Sequence, residues 1–475
     1  MMSVETVLLV LILIAGFYMA WNIGANDVAN AMGTSVGSGA LNLKQAVIIA
    51  AFLEFSGAFF FGSHVSETVQ KGIIDPDLFI FNPRTLVYGM FSSLLAAGAW
   101  LQIASYFGLP VSTTHTIVGA VVGFGAIVGG LEAVHWNTVG FIVSSWVISP
   151  LAGGALGYYL FTILRKRIFY NFNPVEEAKK LTPIIVFVVI ITLSLILLID
   201  GLKHFHPGIS FFQALGASAI IGGIGSAVSA IYVRRIRVNP SLVSTRPKHG
   251  SNITYSLDKV KKHLQRIEEQ SEGELKFRSS ALLEEAEEIS SALKKTREQE
   301  VSSSEYQSVE KIFSYLQILS ASMMAFSHGA NDVANAIGPL AAAVGILTTG
   351  VVAMQMAVPL WALALGGAGI VIGLATWGWR VMETIGRKLT ELTPTRGFAA
   401  EFGAAATILI ASQLGMPIST THTLVGAVIG VGMARGIEAL NLALMRDIIV
   451  SWIITVPAGA FFAVVFFYVI QWAFS

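Results

Sequence analysis

The sequence predicts an all-α polytopic membrane protein with about twelve transmembrane segments, in two inverted-topology repeats that contain broken or re-entrant helices. Three observations predict this fold class. Of the 475 residues, 54% are hydrophobic and only 12% are charged, whereas soluble domains usually carry about 25% charged residues. Apolar stretches of about 18–25 residues, long enough for a membrane helix, recur along the chain. Two motifs also occur twice.

Twelve apolar stretches are long enough to cross a hydrocarbon core of roughly 30 Å as helices. They lie at about 5–23, 44–62, 85–107, 112–130, 138–163, 183–200, 208–233, 312–330, 347–378, 397–413, 417–433 and 446–473. The first stretch has neither a preceding basic region nor a small-residue cleavage site, so it is interpreted as a retained helix. Because the chain contains no cysteine, disulfides, thiolate metal sites and thiol nucleophiles are excluded.

One interval of the chain is strongly polar. Residues 234–311 contain 15 of the 30 basic residues and 13 of the 29 acidic residues. The predicted domains are therefore a first membrane repeat at 1–233, a cytoplasmic helical hairpin or linker at 234–311, and a second membrane repeat at 312–475. Apolar residues three and four positions apart on both sides of Gly273 predict the hairpin. Two roles stay open for it, a solvated spacer and a regulatory or partner-binding module.

The loops between the spans predict the orientation, because short cytoplasmic loops are enriched in Lys and Arg. With seven spans before a cytoplasmic polar interval, the inside loops hold twelve basic residues and the outside loops three. The inside set is Lys44, Arg165, Lys166, Arg167, Lys179, Lys180, Arg380, Arg387, Lys388, Arg396, Arg435 and Arg446, and the outside set is Lys71, Arg84 and Lys203. Both termini are then expected outside a plasma or inner membrane, with residues 234–311 in the cytoplasm.

Two motifs recur at a nearly constant distance. GANDVANAMG at 24–33 returns as GANDVANAIG at 329–338, and GLPVSTTHTIVGAVVG at 108–123 returns as GMPISTTHTLVGAVIG at 415–430. This agreement indicates an internal duplication. Since an odd number of spans precedes the second copy, the two copies are expected to enter the membrane in opposite senses. That arrangement is typical of secondary transporters, whose substrate sites lie near the midplane.

The Ser-Thr-Thr motif predicts paired anion sites. Ser and Thr are favoured helix N-caps, and the proline before them ends any upstream helix. A helix that starts inside the bilayer presents unpaired N–H groups and partial positive charge to an anion. Two facing starts form a cage for a tetrahedral oxyanion, with hydroxyls from Ser112, Thr113, Thr114, Ser419, Thr420 and Thr421. The alternative is that these hydroxyls only bond back to their own helices.

The Asn-Asp motif predicts cation ligands. A charged side chain at the bilayer centre costs roughly 2.5–3.5 kcal/mol, so Asp27 and Asp332 are functional candidates and are expected to hold Na⁺. Oxygen-only ligands suit hard cations, and further oxygens come from Asn26, Asn30, Asn331 and Asn335. Gly24 and Gly329 are expected to let the helices open and expose carbonyls. The alternative role for the polar residues is interhelical hydrogen bonding.

Three other ionisable residues lie in apolar sequence. Glu54 and Glu401 have no obvious acidic mate in the opposite repeat, so each is a candidate for binding a coupling cation or gating access. A structural carboxylate is the alternative for both. His328 precedes the second Asn-Asp motif where Ile23 precedes the first, and we expect it to tune the cation site.

Two histidines, His115 and His422, lie one turn into the predicted anion-binding helices. Contact with the anion, proton transfer and packing all stay open for them. They do not indicate a catalytic triad, because no carboxylate partner follows either histidine. Dinucleotide, P-loop, zinc and nucleophile motifs are also missing, so an enzyme is not expected.

Both membrane halves resemble the inorganic phosphate transporter family, the Pit or solute carrier 20 class. The doubled GANDVANA motif, the paired STTHT runs and the long polar interval carry this resemblance. It implies a twelve-helix inverted-repeat transporter that moves phosphate with Na⁺ or H⁺ as a homodimer. By similarity, the positions important in the family are Asp27, Asp332, Glu54, Glu401, Ser112, Ser419 and His328.

The predicted function is import of inorganic phosphate by a secondary active transporter, with Na⁺ as the favoured coupling ion, by alternating access. The partners are phosphate, Na⁺ or H⁺, the lipid bilayer and a second copy of the chain; no organic cofactor and no nucleic acid are expected. The predicted phosphate ligands are the six hydroxyl residues together with Asn26, Asn331, Asp27 and Asp332. The predicted cation ligands are Asp27, Asn30, Asp332, Asn335, Glu54, Glu401 and His328.

Several alternatives to this function stay open. Within the transporter class they are proton-coupled phosphate symport, metal–phosphate symport and sulfate transport. Outside the transporter class, the alternative is a passive anion channel. Phosphate is favoured over sulfate because a phosphate hydroxyl can donate to an Asp carboxylate, whereas sulfate has no proton to donate.

Overall fold

The structure is a computed structural model that describes residues 3–201, 210–236, 250–300, 304–352, 358–379, 382, 392–436 and 442–474. Within those ranges the chain is almost entirely helical. It contains no strand there, and one isolated antiparallel bridge joins Ile74 to Val134. The predicted all-α fold is confirmed.

Fifteen α-helices are described. Their bounds are α1 Val4–Asn26, α2 Val28–Gly37, α3 Leu43–Lys71, α4 Pro83–Tyr106, α5 Thr113–Phe124, α6 Trp136–Leu164, α7 Pro174–Ile196, α8 Phe211–Arg234, α9 Gly250–Gln270, α10 Glu274–Glu300, α11 Ser304–Thr349, α12 Leu360–Trp377, α13 Pro394–Gln413, α14 Thr420–Arg435 and α15 Leu442–Phe474. Short 3₁₀ turns lie at Pro76–Phe79 and Leu131–Ala133, and single π-helical turns at Gly125–Gly129, Arg165–Phe169 and Leu197–Gly201.

Each of the twelve predicted spans overlaps one of these helices, but the bounds differ in places: the span predicted at 347–378 corresponds to α12, Leu360–Trp377, and part of it lies outside the described residues. Among the described residues, nine helical segments are long and apolar enough to cross a membrane. The other three are α5, α13 and α14; α5 has only 12 residues and α14 has 16, both too short for a full span. The chain is therefore a multi-pass membrane protein in which some apolar helices do not cross the whole bilayer alone.

The helix is interrupted at the first Asn-Asp motif but not at the second. In the first repeat α1 ends at Asn26 and α2 begins at Val28, with Asp27 between them. In the second repeat α11 runs without a break for 46 residues through Asp332. The expectation that Gly329 opens its helix is therefore wrong.

The motif glycines serve close packing between helices instead. A Cβ atom added to Gly24 would collide with the backbone oxygen of Ile370 in α12. A Cβ atom on Gly329 would collide in the same way with the backbone oxygen of Glu54 in α3. Each motif helix thus lies directly on the backbone of a helix from the opposite repeat, as small residues allow in membrane helices.

The described chain forms two compact units. The first comprises Met1–Phe161, Ile191–Ser218 and Ser314–Ser475, and the second comprises Thr162–Ile190 and Ala219–Phe313. Every residue predicted to bind phosphate or a cation belongs to the first unit. In the second unit α9 and α10 are joined at Gly273, whose φ of 64° favours glycine. Ser280 of α10 donates to Glu268 of α9 at 2.7 Å.

Candidate functional site

Two short buried helices begin at the Ser-Thr-Thr motifs. Ser112 caps α5 by accepting a hydrogen bond from the N–H of His115 at 3.2 Å, and Ser419 caps α14 by accepting one from the N–H of His422 at 3.1 Å. Backbone N–H groups in the first turn of a helix have no intrahelical partner. Both helix starts therefore present donors and partial positive charge, as predicted from the prolines and the hydroxyl residues.

The two helix starts touch one another. Thr114 of α5 donates to the carbonyl of Ile418 at 2.9 Å, and Thr421 of α14 donates to the carbonyl of Val111 at 3.4 Å. The motif residues from Ser112 to Thr114 and from Ser419 to Thr421 are all about 1% exposed or less. Residues about 300 positions apart in sequence thus build a single buried centre.

Both motif aspartates contact this centre and are fully buried. Thr420 donates to Asp332 Oδ2 at 2.7 Å, and Thr421 donates to Asp27 Oδ1 at 3.2 Å. The second contact joins the two repeats. Burying a charged carboxylate costs free energy unless other groups bond to it or neutralise it. The threonine hydroxyls supply only part of that stabilisation.

His328 links Asp332 to a second carboxylate. Its Nδ1 lies 2.7 Å from Glu54 Oε2 and its Nε2 lies 2.8 Å from Asp332 Oδ2, and all three side chains are fully buried. A continuous polar chain therefore runs from Glu54 through His328 and Asp332 to Thr420. Nothing in the sequence indicated that Glu54 and His328 are partners, because 274 residues separate them.

The first repeat carries an apolar pair where the second carries the Glu54–His328 pair. Ile23 precedes Gly24 as His328 precedes Gly329. Gly24 lies on the backbone of Ile370, just as Gly329 lies on the backbone of Glu54. Isoleucine thus occupies both corresponding places. At these two places the repeats therefore differ by an ionisable pair in one and two isoleucines in the other.

One group of ligand atoms is compact enough to hold a cation. Single ligand atoms of Asp27, His328 and Asp332 all lie within 4.8 Å of one another. Asp332 Oδ1, Asn331 Oδ1 and Asn335 Oδ1 are buried and have no hydrogen-bond partner within the described part of the chain. Carboxylate and amide oxygens are the ligands that hard cations prefer.

The side-chain amides of Asn26 and Asn331 each bond to the last turn of the preceding helix and to the loop before a helix start. Asn26 Nδ2 donates to Ser105 Oγ at 2.9 Å and to the Leu109 carbonyl at 3.1 Å. Asn331 Nδ2 makes the matching bonds in the second repeat, to Ser412 Oγ at 2.9 Å and to the Met416 carbonyl at 3.2 Å. These amides therefore hold the loops in place, a contact that the sequence did not indicate.

The second asparagine of the motif crosses between repeats. Asn335 Nδ2 lies 3.1 Å from Thr113 Oγ1 and 3.2 Å from Thr114 Oγ1, both at the start of α5. Its carbonyl oxygen stays available as an acceptor. The side chain of Asn30, predicted to have the same role in the first repeat, lies outside the described residues.

Glu401 forms a separate buried polar cluster. Its Oε1 accepts from Thr34, from Ser35 at 2.6 Å and from Gln317 Nε2 at 3.1 Å, and its Oε2 accepts from Ser320 at 2.6 Å. Glu401 is fully buried in α13, and its partners come from α2 and α11. Sequence reasoning selected Glu401 but none of these four partners, because isolated hydroxyls in apolar helices give no signal.

Known proteins match this chain along almost all of its length. A sequence profile of the phosphate transporter family matches residues 23–463. The inorganic phosphate transporter 2-1 of Arabidopsis thaliana, a chloroplastic protein, is 45% identical over 98% of this chain and 71% of its own length. A Chlamydia pneumoniae protein provisionally named a phosphate permease is 43% identical over 98% of both chains.

A solved structure described as the sodium-dependent phosphate transporter superposes with a TM-score of 0.79. It shares 36% sequence identity with this chain and covers 98% of this chain and 99% of its own. The extent of these matches, together with the buried centre built from both copies of the doubled motifs, shows that the chain is a membrane transporter rather than an enzyme and that it belongs to the phosphate transporter family.

Proposed function

We propose that this chain is a Na⁺-coupled phosphate symporter that works by alternating access. The observation that carries the proposal is the direct contact between the motif aspartates and the helix starts, Asp332 with Thr420 at 2.7 Å and Asp27 with Thr421 at 3.2 Å. Residues suited to cations and residues suited to an oxyanion therefore share one buried centre. The sodium-dependent transporter with the similar structure supports Na⁺ as the coupling ion.

Phosphate is proposed to bind at the starts of α5 and α14. The backbone N–H groups of Thr113, Thr114, Thr420 and Thr421 are the donors that the caps leave open. The Ser112 and Ser419 hydroxyls accept the capping bonds and keep their own protons to donate. A phosphate hydroxyl can in turn donate to Asp332 Oδ1, which favours phosphate over sulfate.

Electrostatics supplies the proposed coupling. Two buried carboxylates beside the helix starts repel an approaching anion. Na⁺ bound at Asp27 and Asp332, with the Asn331 and Asn335 oxygens as further ligands, removes that repulsion. The loaded centre is then close to neutral, whereas the empty centre carries uncompensated charge. A change of access between the two membrane faces therefore costs less with both substrates bound.

The Glu401 cluster is proposed as a second, separate cation site. Four side-chain groups surround its carboxylate in the first unit. When the three hydroxyls rotate their protons away, the same oxygens become ligands for a hard cation. This site then contributes to Na⁺ dependence without touching phosphate.

Two alternatives within the transporter class rest on specific contacts. The Glu54–His328–Asp332 chain can carry a proton to the centre, which favours H⁺ coupling. The Asp27–His328–Asp332 group includes a nitrogen ligand. Nitrogen ligands suit divalent transition metals better than Na⁺, so this group favours transport of a metal–phosphate complex. A passive anion channel is disfavoured, because buried carboxylates repel the anions that it would conduct.

The membrane topology and the oligomeric state are part of the same proposal. We expect the two repeats to have inverted topology, both termini to lie outside, and residues 234–311 to lie in the cytoplasm, on the basis of the twelve-to-three distribution of basic loop residues. The resemblance to the family supports a homodimer. Cysteine labelling from each side tests the orientation, because the chain has no native cysteine.

Transport under imposed gradients tests the proposed function. The full chain is reconstituted into proteoliposomes, and uptake of radiolabelled phosphate is measured with an inward Na⁺ gradient or an inward H⁺ gradient, with sulfate as competitor. The proposal expects Na⁺-driven accumulation that sulfate does not inhibit. Accumulation driven only by H⁺ would favour the proton-coupled alternative, and conductance without accumulation would favour the channel.

A further inference from the structure

The hairpin of α9 and α10 carries exposed apolar side chains in a regular pattern. Five large ones are 45–61% exposed: Val260, Ile267, Leu275, Leu282 and Ile289. They are spaced by seven residues along α9 and along α10. Seven residues are close to two helical turns, so this spacing places side chains on one face of a helix. Each helix therefore presents an apolar strip, whereas single exposed apolar residues scattered over a surface need no explanation.

Two side-chain contacts fix the register of the hairpin. Ser280 donates to Glu268 Oε1 at 2.7 Å, and Lys261 Nζ lies 3.7 Å from Glu287 Oε1. One contact lies near the turn of the hairpin and the other lies further along both helices. The two antiparallel helices therefore remain side by side, and the residues of α9 that are level with given residues of α10 can be counted from these contacts.

The two strips lie on the same face of the hairpin. The seam between the helices includes the partly buried residues Lys261, Glu268, Leu283 and Ser290. A strip residue directly precedes each of them in the chain. Because the helices are antiparallel, the same offset from the seam leads to the same side of the hairpin. Counted from the two contacts, Ile267 is level with Leu282 and Val260 with Ile289, to within one residue.

The two helices differ in charge along this stretch. Residues 256–267 of α9 contain four basic residues and one acidic residue, whereas residues 281–290 of α10 contain four glutamates and no basic residue. The basic residues are Lys259, Lys261, Lys262 and Arg266, and the glutamates are Glu284, Glu285, Glu287 and Glu288. A partner that matches this face therefore places an acidic helix over α9 and a basic helix over α10.

We propose that the two strips form an interaction surface for the same hairpin of a second copy of the chain. A twofold axis parallel to the helices places α9 of each copy over α10 of the other, so the apolar strips meet and opposite charges are adjacent. A twofold axis across the helices would place α9 over α9 and bring like charges together. The resulting pair of hairpins is a four-helix bundle in which neighbouring helices are antiparallel.

A second copy fits this face better than a membrane surface does. Anionic lipid head groups attract basic residues, but the glutamates of α10 lie along half of the face. A second copy supplies both charges and a matching apolar strip. Two copies in one bilayer also meet at a high effective concentration, so a small contact suffices. The inference rests on the homodimer proposed above, for which it names a contact surface, and it assigns the hairpin a partner-binding role.

Disulfide cross-linking tests the arrangement, because the chain has no native cysteine. Full-length Ile267→Cys and Leu282→Cys variants carry tags of different size, are produced in the same cells and are oxidised with copper phenanthroline in the membrane. The proposed bundle brings these positions of two copies together. Lys262→Cys with Glu284→Cys is the matched control, because these exposed residues also lie one on each helix but outside the strips. The dimer that contains both tags should form in several-fold higher yield from the strip pair.

Charge reversal tests the placement of α9 over α10. Arg266→Glu, added to both cysteine variants, puts an acidic residue opposite the acidic helix of the second copy and should lower the cross-linking yield several-fold. Adding Glu285→Arg as well restores opposite charges between the copies and should restore the yield. Recovery in the doubly reversed variant shows that the loss in the single variant comes from repulsion between copies and not from misfolding of the hairpin.

Equal yields from the strip pair and the control pair would overturn the inference. A yield that charge reversal leaves unchanged would overturn the placement of α9 over α10. The mass of the full chain in detergent, measured by light scattering, separates this failure from failure of the proposed homodimer. A dimeric mass with equal cross-linking yields means that the copies meet elsewhere and that only the hairpin contact is wrong. A monomeric mass with equal yields means that the homodimer is wrong too.

Discussion

Thr421, in the second repeat, donates a hydrogen bond of 3.2 Å to Asp27, in the first. The same hydroxyl lies 3.4 Å from the Val111 carbonyl next to the start of α5, so the two acceptors share its one proton. One side chain therefore joins the proposed cation ligand of one repeat to the proposed anion sites of both. In the proposed mechanism, occupation of either site would therefore change the surroundings of the other, which is the requirement for coupled transport.

Removing the charge of a motif aspartate should abolish Na⁺-driven uptake. Asp27→Asn and Asp332→Asn keep the side-chain shape but remove the charge that binds the cation, and each should reduce phosphate accumulation to the background of empty liposomes. Asp77→Asn, at an exposed position in the 3₁₀ turn Pro76–Phe79, is the control and should transport normally. Full accumulation by either motif variant would show that its carboxylate is not needed for coupling.

Glu401 should affect Na⁺ dependence and not phosphate affinity. Glu401→Gln removes the charge at the centre of the hydroxyl cluster, so the half-saturating Na⁺ concentration should rise by roughly tenfold. The half-saturating phosphate concentration at saturating Na⁺ should stay the same. Glu132→Gln changes an exposed residue in the 3₁₀ turn Leu131–Ala133 and serves as the control. If the Na⁺ titration of Glu401→Gln superimposes on that of wild type, the second cation site does not exist.

Gly329 should be intolerant of even one methyl group. The added Cβ of Gly329→Ala meets the backbone of Glu54, so α3 and α11 must separate. Overpacking of this kind costs about 1–3 kcal/mol, and the Tm of the purified protein in detergent should fall. Gly140→Ala in α6 is the matched control, because its added Cβ has nothing within 4 Å. An unchanged Tm for Gly329→Ala would mean that the two helices are not in tight contact.

The sequence predicted the membrane fold and the proposed anion site because both depend on local signals. Apolar length identifies the helices, and the proline followed by serine and threonine identifies the starts of α5 and α14. The repetition of both motifs predicted that distant residues act together. That prediction agrees with the bonds from Thr421 to Asp27 and from Asn335 to Thr113.

The remaining contacts depend on how helices pack, which a single sequence does not specify. From the sequence, Gly329 is expected to let its helix open and expose carbonyls, whereas the structure places it against the backbone of Glu54. The same close approach brings Glu54 within 2.7 Å of His328. The Glu401 cluster brings hydroxyls from α2 and α11 to a carboxylate on α13, and no local pattern determines the register of these helices.

The most direct test of coupling is the effect of Na⁺ on phosphate binding at equilibrium. The dissociation constant of phosphate is measured by isothermal titration calorimetry on the purified full chain, in NaCl and in choline chloride at equal ionic strength. Since cations at Asp27 and Asp332 remove the repulsion of the anion, we predict that Na⁺ tightens phosphate binding by at least about tenfold. The effect should be absent in Asp332→Asn. An equal dissociation constant in the two salts would contradict the account.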